Sequence, residues 1–139
     1  MPARNRISKG GSRLTLIRAA AQERHQDARV LADSDRWHGA IYLAGYSVEC
    51  LLKYAAGQRA GEMYLDREYE IHHLDRLMTA SGLLPDLQKQ RGLKDVWSAF
   101  AQEWNPSLRY RCNMYRERDG RLFFDQINEL YQWLWQRSR

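Results

Sequence analysis

The sequence predicts an all-α protein, an antiparallel up-and-down bundle of four to five helices. The apolar residues of its longer segments recur every three to four positions, and no segment alternates apolar and polar residues as a strand does. With 139 residues, the chain has room for one domain. We therefore expect a single helical domain over 15–139, preceded by a basic, flexible tail over 1–14.

The first two predicted helices, 15–33 and 36–57, each carry an apolar stripe along one side. In the first helix the stripe consists of Ile17, Ala20, Ala21, Ala28, Leu31 and Ala32. In the second it consists of Trp37, Ile41, Ala44, Gly45, Val48, Leu52 and Ala55. The second stripe is the stronger one, so 36–57 is expected to be the central helix.

The middle of the chain predicts short elements. Residues 57–71 lack a clean period, which is typical of a loop or a partly helical connection. A short helix is expected over 72–81, because Gly82 stops the pattern there. Pro85 is suited to open one further turn over 86–90.

The last third of the chain predicts two longer helices separated by a polar stretch. Apolar residues repeat with the helical period from Leu93 to Trp104, and Asn105-Pro106 ends that helix. Residues 105–120 are polar and rich in arginine. The closing helix is expected over about 121–137.

The charges are unevenly distributed along the chain. The formal net charge is +5, and residues 1–13 hold four basic residues and no acid. Residues 62–75 carry five acids against one arginine, whereas 109–121 carries five arginines against two acids. These opposite charges predict that the two stretches face each other, and the basic one can attract phosphates.

Several classes of protein find no support in the sequence. No apolar run approaches the ~20 residues of a membrane helix, and no secretory signal is recognisable at the start. The two cysteines, Cys50 and Cys112, form neither a CxxC motif nor a zinc pattern, which favours a reducing cytoplasm. Phosphate-binding loops, dinucleotide fingerprints and zinc-protease motifs are also missing. We expect no metal and no cofactor, and neither cysteine is expected to act as a nucleophile.

A second stripe runs beside the apolar one on the central helix. Tyr42, Tyr46, Glu49 and Lys53 share this flank, with His38 one turn earlier. Glu49 precedes Lys53 by four residues, the favoured orientation for a helical ion pair. The flank is interpreted either as a half-buried helix contact or dimer seam, or as a ligand site.

Three motifs in a fixed order resemble one family. WHGAIYLAGYSVECLLKYAA, IHHLDRLM and SLRYR, followed by an amphipathic last helix, are similar to the HEPN domain, the higher eukaryotes and prokaryotes nucleotide-binding domain. The family's Glu and Lys, four residues apart, correspond to Glu49 and Lys53. Its His-Asp-Leu motif corresponds to 72–74, and its Arg-Tyr pair to Arg109-Tyr110.

Two positions depart from the family pattern. His73 stands where the family usually has Asp, and Arg111 stands where Pro usually follows the Arg-Tyr pair. Both replacements affect the expected binding site. Arg109 can direct its guanidinium either to Glu49 or to a phosphate, with the structural pair slightly favoured, and Arg111 is the better phosphate candidate.

The resemblance implies two alternative functions. The favoured one is a homodimeric module that binds a nucleotide, RNA or a partner nucleotidyltransferase in a toxin–antitoxin or defence system. Its candidate ligand contacts are Lys53, His72, Arg109, Tyr110 and Arg111, supported by Tyr42, Tyr46 and Glu49. The alternative is a metal-independent ribonuclease toxin, whose family motif has an Arg and a following His separated by four to six residues near the last helices. No histidine follows His73 in this chain, which favours the module without catalysis.

Overall fold

The computed structural model describes residues 13–65 and 73–138, and these residues form an all-α bundle. The α-helices are α1 (Leu14–Asp33), α2 (Trp37–Arg59), α3 (Leu74–Ser81), α4 (Leu84–Gln88), α5 (Arg91–Glu103) and α6 (Glu117–Arg137), and a 3₁₀ helix covers Pro106–Tyr110. No β-strand occurs in these two ranges, where the only extended pairing is an isolated bridge between Arg13 and Tyr64. The predicted all-α helical bundle is confirmed, and the described residues hold six α-helices where four to five helices were expected.

Helix α2 is the centre of the bundle, as its long apolar stripe predicts. It contacts α1, α3, α6 and the 3₁₀ helix. Ile41, Ala44, Val48 and Leu52 are all completely buried. Gly45 leaves the space that the indole of Trp104 fills, which holds the end of α5 against α2. The chain therefore enters the 3₁₀ helix from a fixed point.

The last helix begins at Glu117, four residues before the position expected from its apolar repeat. Glu117 and Asp119 lie in its first turn, where the partial positive charge of a helix N-terminus stabilises acidic side chains. Gly120 lies in the same turn, and a Cβ there would stand 2.7 Å from the Cβ of Trp37. The expected start was wrong because these polar first-turn residues carry no apolar period.

Other helix boundaries differ from the prediction by one or two residues. The central helix continues to Arg59, and α3 begins at Leu74, with residue 72 outside the described ranges. Gly82 ends α3 with φ +76°, a left-handed conformation that glycine adopts without strain. The turn near Pro85 is the short helix α4, which starts at Leu84.

The start of the chain shows where the predicted tail meets the helix. Only residues 13 and 14 of the expected tail are described, and Leu14 is the first residue of α1. Its side chain is buried, and Gly57 makes room for it, since a Cβ on that glycine would stand 2.7 Å from a methyl carbon of Leu14. Leu14 therefore belongs to the helical domain.

A buried histidine connects the first and last helices. His25 of α1 is 4% exposed and stacks on the ring of Tyr131, with 3.8 Å between the ring centroids. Its Nε2 donates to the Oδ1 of Asn128 across 2.6 Å. Burial lowers the pKa of His25, so the ring is neutral inside the bundle at neutral pH.

Candidate functional site

The Glu49–Lys53 pair lies inside the protein. The Nζ of Lys53 is 3.4 Å from the Oε2 of Glu49, and the side chains are 11% and 0% exposed. Burial of two charges requires them to stay together, because either charge left alone would be strongly destabilising. Lys53 was expected to contact a phosphate, but its ammonium is paired with Glu49 in the interior of the bundle.

The middle of the tyrosine flank is also largely buried. Tyr46 is half-buried and hydrogen-bonded to Cys50, one turn further along α2. The electrostatic effect of Cys50, followed by burial, raises the pKa of Tyr46 to about 12. Burial, followed by the nearby Glu49 carboxylate, raises the pKa of the Cys50 thiol to about 11. The thiol is therefore protonated at neutral pH, which agrees with the expectation that Cys50 is not a nucleophile.

The 3₁₀ helix turns its polar residues outward. The Asn105 side chain caps it by accepting a 2.9 Å hydrogen bond from the Ser107 backbone N–H. Leu108 is the buried residue of this helix and contacts the core. The residues that follow, Arg109, Tyr110 and Arg111, are all exposed, and Tyr110 has 78% of its surface accessible. Tyr110 is the most exposed of the large hydrophobic side chains of the described residues.

Arg109 lies against two tyrosines. Its guanidinium carbon is 4.9 Å from the centroid of the Tyr110 ring. Hydrogen bonding to Tyr110, and then to Tyr42, raises the pKa of Arg109. Arg109 is exposed whereas Glu49 is completely buried, so the structure gives no support to the favoured pairing of these two residues. The fold instead brings together Tyr42, Arg109 and Tyr110.

Arg109 and Tyr110 begin a longer basic stretch, here called the arginine segment, residues 109–118. Its exposed arginines are Arg109, Arg111, Arg116 and Arg118. Its single acid, Glu117, forms a 3.3 Å ion pair with Arg121 on the following turn of α6. The segment therefore presents a net positive charge to solvent. Cys112 is exposed within it, as expected for a loop residue.

His38 joins this segment to the central helix. Its Nε2 is 2.7 Å from the carbonyl oxygen of Leu108, and its Nδ1 is 3.4 Å from the backbone nitrogen of Met114. The Met114 N–H can only donate, so Nδ1 accepts and Nε2 carries the proton that it donates to Leu108. The sequence placed His38 near the flank but could not show that both ring nitrogens bind backbone from residues 70 and 76 positions away.

The remaining candidates lie apart from this cluster or outside the described ranges. His72 is among the residues that the structure does not describe, as is half of the acidic stretch 62–75, so neither expectation is tested. His73 is exposed at the start of α3 and lines a surface pocket of about 480 Å³ together with Asn105. That pocket borders the opposite end of the 3₁₀ helix from Tyr110.

Two features are absent from the described residues, and comparisons with known proteins give no relative. Within 13–65 and 73–138, no group of three or more His, Cys, Asp or Glu side chains could hold a metal ion. Over the same residues, no helix combines the length and apolar character needed to cross a bilayer. Comparisons with protein-family models, curated proteins and solved structures give no match for this chain.

Proposed function

We propose that this protein is a HEPN-like binding module that takes single-stranded RNA on its arginine segment and has no catalytic activity of its own. The observation that carries the proposal is Tyr110, an exposed aromatic ring between two exposed arginines. Such a ring can stack on a base while the neighbouring guanidinium groups contact phosphates. The three motifs shared with the HEPN domain support the same function.

The chemistry of the segment suits a flexible polyanion. Arginine forms paired hydrogen bonds with phosphate oxygens, and its flat face also stacks on rings, as Arg109 does on Tyr110. The buried Leu108 fixes one end of the segment, and α6 fixes the other end. The phosphate contacts expected from Lys53 are left out of this proposal, because that side chain is buried and paired with Glu49.

The experiment is a titration of fluorescently labelled single-stranded RNA, followed by anisotropy. Tyr110→Ala should weaken binding by about 5- to 150-fold, which corresponds to the ~1 to 3 kcal/mol of base stacking on an aromatic side chain. Tyr110→Phe keeps the ring and should retain most of the affinity. Arg109→Ala and Arg111→Ala should each weaken binding and reduce its dependence on salt.

Arg91→Ala is the matched control for the arginine variants. Arg91 is exposed at the first position of α5, and the helical rise places it about 18 Å from the end of α5 that leads into the 3₁₀ helix. It loses the same charge and should leave RNA affinity nearly unchanged. Equal losses for Arg91→Ala and Arg111→Ala would mean that only the overall charge matters, and would refute a site on the arginine segment.

The ribonuclease alternative makes a different prediction. Cleavage without a metal needs a group that exchanges a proton near neutral pH, and histidine is the usual choice. His38 does reach the arginine segment, but both of its ring nitrogens are bound to backbone. We expect purified protein to leave a structured RNA intact. Cleavage that His72→Ala or Arg109→Ala abolishes would establish the ribonuclease instead.

The proposal includes a homodimer and a partner nucleotidyltransferase in a toxin–antitoxin or defence system. Tyr110, Met114 and Leu122 are exposed apolar residues in or beside the arginine segment, and they suit an interface as well as a ligand. Light scattering at micromolar concentration should give twice the chain mass of 16.5 kDa. A nucleotidyltransferase encoded by a neighbouring gene should co-purify with this protein, and a monomer mass would remove the dimer from the proposal.

A further inference from the structure

We propose that His38 is a positioning residue that holds the arginine segment in its binding conformation, and that a second proton on its ring releases the segment. The inference rests on the proposed function for its effect on RNA binding. The tether itself is a local structural property, and it can be measured without RNA.

The arginine segment has few other attachments between the 3₁₀ helix and α6. Residues 111–116 adopt no regular secondary structure, and Asn113 has a left-handed backbone with φ +51°. Tyr115 provides a ring contact, with its centroid 6.0 Å from that of His38 and 5.7 Å from that of Phe123. The two hydrogen bonds of His38 therefore connect this irregular stretch to the central helix of the bundle.

Histidine suits this position because one flat ring offers a donor and an acceptor on separate atoms. The donor at Nε2 holds the end of the 3₁₀ helix through Leu108, and the acceptor at Nδ1 holds the chain six residues later through Met114. Glutamine can reproduce the donor, and asparagine can reproduce the acceptor. Neither side chain can supply both bonds from one rigid group.

Protonation removes the acceptor. With a proton on Nδ1, the ring would direct an N–H at the N–H of Met114, and two donors cannot bond to each other. Four titratable or charged residues line the pocket of about 310 Å³ that His38 also lines: Asp35 and Arg36 before α2, and Cys112 and Tyr115 on the arginine segment. Tyr42 lies one turn further along α2, and the charge of Glu103 on α5 acts on Tyr115. The acceptor bond from the Met114 N–H is the one that a second proton removes. Acidification is therefore expected to release residues 112–114 first.

Limited proteolysis with trypsin tests the tether, because its cleavage sites include Arg109, Arg111 and Arg116. His38→Ala removes both hydrogen bonds, and loss of one alone allows cleavage that is roughly 2- to 12-fold faster. Cleavage within the segment should therefore accelerate by at least that factor. His38→Gln retains the bond to Leu108 and should lie between His38→Ala and the wild type. His73→Ala removes an exposed histidine from α3 and should cleave at the wild-type rate.

The pH dependence separates positioning from a general loss of stability. The ratio of the wild-type cleavage rate to that of His38→Gln should rise as the pH is lowered from about 8 to about 5, the range in which histidine side chains can gain a proton. The pH dependence of trypsin itself cancels in this ratio. A constant ratio, or equal rates for wild type and His38→Ala, would overturn the inference. The pH series with wild type and His38→Gln remains decisive if His38→Ala does not fold.

The RNA titration completes the test. His38→Ala should weaken RNA binding by roughly 2- to 12-fold, the factor expected for its cleavage rate. His38→Gln should restore part of the affinity. Full affinity in His38→Ala, together with faster cleavage of its segment, would overturn the positioning role. Wild-type protein that binds no RNA would refute the proposed function, whereas the cleavage rates would still decide whether His38 tethers the segment.

Discussion

The interior around α2 and the arginine segment are held in place by different kinds of contact. The completely buried side chains include Ile41, Ala44 and Leu52 on α2 and Ile127 on α6. Many small contacts between such side chains therefore determine how the helices pack. The arginine segment is exposed and depends on Leu108, one tyrosine ring and two hydrogen bonds from His38. The buried interior and the segment proposed to bind RNA are therefore separate regions, as is common where a loop is carried by a packed scaffold.

Two histidines make the same contrast on a smaller scale. His25 is surrounded by the core, where it stacks on Tyr131 and donates to Asn128. His38 is half-buried at the edge, where it binds the backbone of Leu108, directly before the arginine segment, and of Met114 within it. Removal of the first ring should affect the free energy of unfolding, whereas removal of the second should chiefly affect the segment.

The largest expected effect is in the interior. Leu52→Ala should destabilise the protein by about 2 to 5 kcal/mol, since it removes buried methyl groups and leaves a cavity. Leu122→Ala makes the same change on a side chain that is 60% exposed, and should cost less than about 0.5 kcal/mol. Urea denaturation of both variants measures the difference. Similar losses in the two variants would show that the interior has been assigned to the wrong faces.

Two glycine-to-alanine variants, one at the contact between α2 and α6 and one control on α5, test that contact. Gly120→Ala should cost about 1 to 3 kcal/mol, because the new Cβ would stand 2.7 Å from Trp37 and the packed core cannot give way easily. Gly92→Ala on α5 meets open space and should stabilise the protein by about 0.4 to 1 kcal/mol. Thermal melts should therefore shift in opposite directions, and a shift of the same sign in both would contradict the close approach at Gly120.

The core histidine predicts a dependence of stability on pH. The pKa of His25 is lowered from 6.5, chiefly by burial, so below about pH 6.5 the unfolded chain binds a proton that the folded protein does not. Stability should be complete above that pH and should fall as the pH drops towards the lowered pKa. His25→Gln removes this titration, and its unfolding free energy should change less between pH 7 and pH 5. Parallel curves for the two proteins would contradict the buried, neutral ring.

The smallest expected effect on stability is in the arginine segment. Arg111→Ala should change the unfolding free energy by no more than about 0.5 kcal/mol, because the side chain is exposed. The same variant is expected to weaken RNA binding, so the two measurements should separate. A large loss of stability in Arg111→Ala would mean that the segment is part of the structural core.

The candidate site was predicted only in part from the sequence. The arginine-rich stretch 109–121 was expected to attract phosphates, and the structure presents Arg109 and Arg111 at the surface. The slightly favoured pairing of Arg109 with Glu49 finds no support, because Arg109 is exposed and Glu49 is buried. The tyrosine flank predicted that Glu49 and Lys53 share one side of α2, but the helical period alone cannot show whether that side faces solvent. Lys53 is buried because neighbouring helices cover it, and that information lies outside its own helix.

The sequence by itself determined the all-α class and the central role of α2, because helical periodicity and apolar stripes are local properties that each segment carries alone. Tertiary structure alone decided that His25 enters the core beside Tyr131 and that His38 binds backbone near residues 108 and 114. Those partners are distant in sequence, and a polar side chain carries no local signal of which distant group will satisfy its hydrogen bonds. The packing of α1 and α6 on α2, and of the 3₁₀ helix on its edge, supplies those partners.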